Sequence, residues 1–278
     1  MDSPLVTAVM LAGHDERRRP LAHMAISSFL RQTWENKNLL IINQGRPFNI
    51  PNTQIREHFV RDDWRLGNLP KKDITIGMLR NVAHEYADAE YLISWDDDDY
   101  CHPERIAVQM DPFKYDNRLL ATVLQNRTVI DLQAGDFFAR DPGFSSCRGC
   151  AGSLLLNISI LLNQRIEYLY MEERVSDPET EFLERFPSAL CYPIENSPVL
   201  YHQTFTGLNW NNYWTVVEEP RNRDALFMSN EETRFTASIL YKYQKMLGLL
   251  SDEDSEYLQS YRYQQAMRLP GIVAAPAC

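Results

Sequence analysis

Four consecutive aspartates at residues 96–99 constrain the fold of this chain more than any other feature of its sequence. They follow the apolar run YLISW at 91–95, which is too short for a helix and has the composition of a buried strand. Pro103 then stands where a first helical turn would begin, a position at which proline is tolerated. The sequence therefore predicts a strand, an acidic loop and a helix, with the carboxylates at the carboxyl end of the strand.

The charge of this acidic run needs a physical explanation. Adjacent carboxylates repel one another, and a hard divalent cation with oxygen ligands offsets that repulsion. The alternative is a solvated acidic turn, which is what most charge runs are. The metal interpretation is preferred because the run is joined directly to a strand of buried composition.

The amino-terminal part predicts a βαβ unit. Residues 5–12 are apolar and β-branched, Pro20 opens a segment with apolar residues at helical spacing, and residues 39–42 form a second strand. Such a unit is right-handed with parallel strands, and ligands bind beyond the carboxyl ends of those strands. The residues expected at this edge are Ala12, Gly13, His14, Asn43 and Gln44.

The middle of the chain continues the alternation of helices and strands. Residues 54–58 predict a short helix, and Asp73 is the expected N-cap of a helix whose apolar stripe leaves Arg80 on or near the other face. Further strands are predicted at 119–124, 128–132, 136–139, 189–192 and 198–201. The result is an α/β fold with a mixed, mainly parallel sheet flanked by helices.

The last quarter of the chain has the sequence pattern of helices. Ser229 and Glu232 fit a capping box ahead of a helix, and residues 251–267 predict a second helix. We therefore expect a domain at 1–218 and a helical extension at 219–278, which packs on that domain or on another subunit of a homo-oligomer.

Composition excludes some classes of protein. The formal net charge of −10 disfavours a nucleic-acid-coating role, which needs a basic surface. The longest apolar stretch is too short to span a bilayer, and the start of the sequence does not resemble a signal peptide. The five cysteines have no framework spacing, so reduced thiols and a cytoplasmic location are expected.

Three arginines at 17–19 precede Pro20. Most such runs are solvated surface, and a contact with phosphate or acceptor is the less favoured interpretation. His202 ends a predicted strand and is a candidate metal ligand, although a lone histidine is more often a structural hydrogen-bonding residue.

The order of these motifs resembles that of the family 2 glycosyltransferases, which have the Rossmann-like GT-A fold. Residues 27–34, 79–81 and 95–106 are similar to the family's first helix, its Ala-Arg-Asn helix and its Asp-rich metal motif (DXD motif). Residues 178–185 are similar to the segment with the catalytic base. The resemblance covers roughly the first three-quarters of the chain, the usual extent of one such domain. It implies inverting, metal-dependent transfer of a sugar from a nucleotide-diphosphate sugar to an acceptor hydroxyl.

The resemblance also implies roles for individual residues. Asp98 is the principal ligand of Mn²⁺ or Mg²⁺, Asp96 supports it, and Asp97 contacts the ribose or the metal. Arg80 neutralises the diphosphate of the donor. The general base is Glu179, with Asp177 as its rival. Where the family usually has aspartates, this chain has Asn43 and Gln44, whose amides can still hydrogen-bond the pyrimidine of a UDP-sugar.

Two other functions stay open. A sugar nucleotidyltransferase would have a Gly-rich, basic loop after the first strand, and the sequence GHDE at 13–16 matches this poorly. A nucleotide-sugar-binding protein without transferase activity would explain Asn43 and Gln44, although the intact acidic run argues against it. The acceptor of a transferase could be a glycan, a lipid-linked sugar, a protein, a small molecule or a modified base, the last disfavoured by the acidic net charge.

Overall fold

The computed structural model describes residues 3–140, 150–163, 187–207, 225–226 and 228–249, together with Arg185. The described strands, in chain order, are β1 (Val6–Ala12), β2 (Lys37–Asn43), β3 (Ile55–Phe59), β4 (Tyr91–Ser94), β5 (Tyr100–Cys101), β6 (Ala121–Leu124), β7 (Arg127–Asp131), β8 (Asp136–Arg140), β9 (Leu155–Asn157), β10 (Cys191–Ile194), β11 (Tyr201–Phe205) and β12 (Ala225–Leu226). The described α-helices are α1 (Arg19–Leu30), α2 (Ile76–Tyr86), α3 (Arg105–Met110), α4 (Ile158–Asn163) and α5 (Asn230–Met246).

The strands form two sheets. The larger has seven strands in the order β10-β6-β9-β4-β1-β2-β3, and only β9 runs antiparallel to its neighbours. The smaller has five strands in the order β12-β8-β7-β11-β5. The predicted α/β class with a mixed, mainly parallel sheet is therefore confirmed.

The centre of the larger sheet is buried on both faces. Strand β1 lies between β2 and β4, with Val6, Ala8 and Met10 buried on one face and Thr7 and Val9 on the other. Strands covered on both faces form continuous apolar runs in the sequence, which is why these three strands were predictable. Helix α1 packs Ala25 and Phe29 into the core on one face of this sheet.

Three local predictions were wrong. Residues 55–58 of this segment belong to strand β3, which pairs in parallel with β2 at the sheet edge, and residue 54 lies in the turn before it. The N-cap of α2 is Thr75, whose hydroxyl accepts a hydrogen bond from the Met78 N–H at 3.2 Å, and Asp73 lies in the preceding 3₁₀ turn. Residues 198–200 form a 3₁₀ turn ahead of β11.

Helix α5 packs on the rest of its own chain. The predicted capping box of Ser229 and Glu232 is present, and Glu232 also accepts a hydrogen bond from the Ser197 hydroxyl at 2.5 Å. Its apolar face joins a buried cluster with residues from α1 and the smaller sheet. The members of that cluster are Leu21, Tyr100, Ile130, Leu132, Ile239, Leu240 and Tyr243. The second predicted helix, at 251–267, lies outside the described residues.

In the described part of the chain, no helix is both long and apolar enough to cross a bilayer.

Candidate active site

The acidic loop lies where the carboxyl ends of β1 and β4 meet. In the parallel register Val9 pairs with Ser94, and the Trp95 N–H donates to the Val9 carbonyl at 2.9 Å. The Trp95 side chain is fully buried, and its indole N–H donates to the Ala25 carbonyl on α1 at 3.0 Å. The strand therefore ends inside the core, and the carboxylates begin at its edge, as the sequence predicts.

Asp97 and Asp98 share one arginine. The Arg18 guanidinium hydrogen-bonds the Asp97 carboxylate, and its Nη2 lies 3.1 Å from Asp98 Oδ2. Burial raises the pKa of the Asp97 carboxyl and raises that of Asp98 to about 7, although the charge of Arg18 opposes both shifts. The Arg18 side chain is only 16% exposed, so the prediction that the arginine run is solvated surface was wrong for this residue.

Asp99 is bound by strand β11. It accepts a short hydrogen bond from the Tyr201 hydroxyl and a 2.8 Å hydrogen bond from the Thr204 N–H. Burial and the neighbouring Asp98 raise the pKa of Asp99 well above its ordinary value. These contacts give Asp99 a structural role that ties the loop to the smaller sheet.

Asp96 is the most exposed of the four acids, with 32% of its side chain accessible. Its Oδ1 accepts a hydrogen bond from Arg80 Nη2 at 2.9 Å, and its Oδ2 lies 3.4 Å from the Tyr201 hydroxyl. Arg80, on α2, has a side chain that is only 4% exposed. Arg80 therefore holds Asp96 from within the protein, a role that the sequence-based assignment to the diphosphate does not include.

Arg105 supports the loop from below. Its guanidinium is fully buried, 5.1 Å from the centroid of the Trp95 ring and 4.7 Å from that of Tyr201. It donates to the Ser94 carbonyl at 3.0 Å and to the Gly152 carbonyl at 3.4 Å. A cation between two aromatic faces stabilises this packing, and its charge also favours ionised carboxylates nearby. The role of Arg105 could not be predicted from the sequence, because Tyr201 and Gly152, two of its partners, are distant in the chain.

The predicted donor-binding residues divide into a buried and an exposed group. Asn43 Oδ1 accepts from the Gly45 N–H at 2.7 Å, and its Nδ2 donates to Glu57 Oε2 at 2.6 Å and to the Arg46 carbonyl at 3.0 Å. The Asn43 amide therefore shapes its own loop. The other members lie beside it: Ala12 is buried, Gln44 is half-buried, and Gly13 and His14 are exposed at the rim.

His202 points away from the acidic loop. Successive strand residues face opposite sides of a sheet, and the hydroxyl of its neighbour Tyr201 contacts the carboxylates. The His202 ring is fully buried, with Nε2 3.1 Å from the Thr236 hydroxyl and its centroid 5.6 Å from that of Tyr100. The structure does not bring His202 together with Asp96 and Asp98, its predicted co-ligands.

The acidic loop does not fit a metal ion in this arrangement. Carboxylate oxygens are the ligands that Mg²⁺ and Mn²⁺ prefer. Each of the four acids, however, is engaged by a protein donor, and Arg18 holds Asp97 and Asp98. Within the described ranges no cluster of three or more His, Cys, Asp and Glu side chains is arranged to hold a metal.

The predicted general base, Glu179, and its rival Asp177 lie outside the described residues. The structure therefore defines the half of the site around the acidic loop.

Residues 16–135 match the family described as Glycosyl transferase family 2. The matched segment includes α1, α2, the acidic loop and α3, and is less than half of the 278 residues. The resemblance to this family is thus confirmed over residues 16–135. A search of curated proteins gave no match.

Solved structures of S. aureus TarS have a similar fold. TarS 1-349 in complex with UDP superposes with a TM-score of 0.51 at 11% identity, over 95% of this chain and 79% of that chain. TarS 1-349 in complex with UDP-GlcNAc gives 0.51 at 11% identity, over 92% and 69%. In two further comparisons this chain covers 60% of a TarS 1-349 structure and 44% of the longer TarS chain. The predicted GT-A type of fold is therefore confirmed.

Proposed function

We propose that this protein is an inverting glycosyltransferase that moves a sugar from a UDP-sugar to an acceptor hydroxyl. The observation that carries the proposal is the acidic loop at the carboxyl end of β4, inside the family 2 segment and beside Arg80 and Arg18. The complexes of TarS with UDP and UDP-GlcNAc support a uridine nucleotide and a hexosyl group as the donor.

In the proposed reaction, one half of the site binds the donor and the other half activates the acceptor. The donor binds at the edge formed by Gly13, His14 and Gln44, with its diphosphate near the acidic loop. Glu179, or its rival Asp177, takes the proton of the acceptor hydroxyl. The acceptor oxygen then bonds to the anomeric carbon on the face opposite the diphosphate, while the bond to the diphosphate breaks and its electron pair leaves with that group. Attack from the opposite face inverts the configuration.

The protein contributes positioning and charge to this reaction. Arg80 and Tyr201 hold the carboxylates of Asp96 and Asp99, and Arg105 holds the Ser94 carbonyl just before them, so that the loop is preorganised before the donor binds. Metal dependence on Mn²⁺ or Mg²⁺ belongs to the same proposal, with Asp98, Asp97 and Asp96 supplying the oxygens. It requires that Arg18 first release Asp97 and Asp98.

We further propose a cytoplasmic location. The three described cysteines, Cys101, Cys150 and Cys191, are free and buried, as expected for a reducing compartment.

A second candidate is a nucleotide-sugar-binding protein without transfer activity. The contact of Arg18 with Asp97 and Asp98 favours it, because Arg18 occupies the carboxylate oxygens that a catalytic cation would need as ligands. The two candidates make the same prediction for donor binding and opposite predictions for turnover.

Donor screening tests the proposal. UDP-, GDP-, dTDP-, CDP- and ADP-sugars are added singly, with and without Mn²⁺, and the apparent Tm is recorded. At a hundredfold excess over Kd, binding adds about 2.7 kcal/mol of stability, or a shift of roughly 5 °C in Tm. A UDP-sugar is expected to give this shift and to be hydrolysed slowly to UDP.

Two variants sharpen the screen. Asp96→Asn should lose the donor shift, whereas Asp116→Asn should keep it. Asp116 is held by Arg118 ahead of β6, a strand whose direction places Asp116 at the opposite edge of the sheet. If none of the sugar nucleotides raises Tm, the proposal is wrong; binding of a UDP-sugar without hydrolysis or transfer favours the second candidate.

A further inference from the structure

Arg18 differs from its neighbour Arg17 although both stand in one short turn. Residues Glu16–Arg18 form a 3₁₀ turn capped by Asp15, and the Arg17 side chain is 73% exposed and pairs with Asp15. The Arg18 side chain, in contrast, is 16% exposed and enters the acidic loop, 79 and 80 residues away in the chain. The turn thus aims one arginine at the carboxylates and leaves the other in solvent.

Asp97 and Asp98 are both in contact with the guanidinium of Arg18. Asp96 is paired with Arg80, and Asp99 is bonded by the neutral donors of Tyr201 and Thr204. One guanidinium therefore serves both Asp97 and Asp98. A divalent cation in place of the guanidinium would balance the two formal charges.

Arg18 and a cation cannot occupy this position together. Mg²⁺ binds carboxylate oxygens at about 2 Å, and Arg18 Nη2 lies 3.1 Å from Asp98 Oδ2 and closer still to Asp97 Oδ1. Two positive groups on the same oxygens would lie within a few ångströms of each other in a buried site, where charge repulsion is strong. Binding of one therefore requires release of the other.

We propose that Arg18 is an internal counter-ion that closes the acidic loop, and that a divalent cation enters only when Arg18 leaves Asp97 and Asp98. If this exchange admits a donor diphosphate, that role rests on the proposed function. The competition between Arg18 and the cation is independent of the proposed function. The Arg18-bound state lowers the apparent affinity for the cation, because only the fraction of molecules in which Arg18 has left the loop can bind it.

Binding of Mn²⁺ alone tests the competition, without donor or acceptor. Free Mn²⁺ is followed by electron paramagnetic resonance during titration of the full chain, for the wild type, Arg18→Gln and Arg17→Gln. We expect Arg18→Gln to bind Mn²⁺ roughly tenfold more tightly than the wild type. This factor corresponds to an Arg18-bound state that holds about nine-tenths of the wild-type molecules and is absent from the variant. Arg17→Gln, which changes the same formal charge in solvent, should bind like the wild type.

A second measurement covers the case in which Arg18→Gln folds poorly. Removal of Arg18 leaves two buried carboxylates without their cation, so that without metal the variant should have a lower Tm than the wild type. Mn²⁺ should then raise the Tm of Arg18→Gln more than that of the wild type. Arg18→Lys keeps the charge but loses the planar fork of donors, and should bind Mn²⁺ with intermediate affinity.

The outcomes separate this proposal from the proposed function. Unchanged, weaker or undetectable Mn²⁺ binding by Arg18→Gln overturns the counter-ion proposal, whatever the donor screen shows. Equal tightening by Arg17→Gln also overturns it, since a general charge effect would then suffice. Tighter Mn²⁺ binding by Arg18→Gln alone supports it, even if no sugar nucleotide binds.

Discussion

The hydroxyl of Tyr243 lies 3.3 Å from the carbonyl oxygen of Asp98, so helix α5 reaches the middle of the acidic loop. Tyr243 is fully buried, as are Ile239 and Leu240 on the same face of the helix. The Asp98 side chain faces Arg18 while its backbone is held by Tyr243. The helix predicted as an appended extension therefore supports the proposed donor half of the site.

Substitution of Tyr243 measures how much this helix contributes. Tyr243→Phe removes the hydroxyl that donates to the Asp98 carbonyl and should lower the free energy of unfolding by about 1 kcal/mol. Tyr243→Ala also leaves a cavity and should cost about 3–5 kcal/mol. Urea denaturation checks both values. Lys242→Ala, on the exposed face of the same helix, should change the free energy by no more than about 0.5 kcal/mol; an equal loss for Lys242→Ala and Tyr243→Ala would contradict the packing.

The parts of the fold that were predictable are those whose signal is local. Strands β1, β2 and β4 are continuous apolar runs because both faces are buried, and the capping box of α5 lies within four residues. Pro103 and the aspartates placed the acidic loop after a strand and ahead of a helix, although the short strand β5, which was not predicted, lies between the loop and α3. Local patterns of this kind do not depend on which distant segment packs against them.

The parts that were not predictable depend on distant contacts. Arg18 reads as one of three surface arginines until the fold brings it to Asp97. Arg105 becomes a supporting cation only because Trp95 and Tyr201 enclose it. Strand β3 has half-buried and exposed residues, so its apolar pattern is weak and pairing with β2 decides its conformation. The sequence thus predicted which acids are important and missed the side chains that hold them.

Gly152 leaves room for the Tyr201 hydroxyl beside Asp96. A Cβ at this position would lie 2.8 Å from Tyr201 Oη and 3.3 Å from Asp96 Oδ2. Gly152→Ala should therefore displace the Tyr201 ring, disturb its hydrogen bond to Asp99, and lower the free energy of unfolding by about 1–3 kcal/mol. Chemical denaturation measures the loss. At Gly13 a Cβ would meet no atom within 4 Å, so Gly13→Ala serves as the control for stability. Equal stability of Gly152→Ala and the wild type would show that the loop tolerates the added methyl group.

His202 should make the protein sensitive to acid. Burial lowers the pKa of its imidazole from the ordinary 6.5 to about 3, so the unfolded chain takes up a proton that the folded chain does not. Its contribution to stability is therefore constant above pH 6.5, and stability falls by about 1.4 kcal/mol per pH unit from there towards pH 3.

The slope of this decline with pH shows whether His202 causes it, independently of how much the substitution itself destabilises the protein. Urea denaturation between pH 4.5 and 7 should give a shallower decline for His202→Gln than for the wild type, with a difference of roughly 3 kcal/mol over that range. A uniform loss of stability with an unchanged slope would mean that His202 stays protonated in the fold or that other groups set the acid limit.

Glu179 and Asp177 are the candidates for the base that removes the acceptor proton. Glu179→Gln keeps the size and hydrogen-bonding capacity of the side chain but cannot take a proton, so it should retain the donor-induced rise in Tm. Transfer should fall by about a hundred- to ten-thousand-fold, the usual contribution of a general base. Asp177→Asn is the matched variant for the rival assignment. Loss of transfer in Asp177→Asn with normal transfer in Glu179→Gln would move the base to Asp177, and normal transfer in both would place it outside this segment.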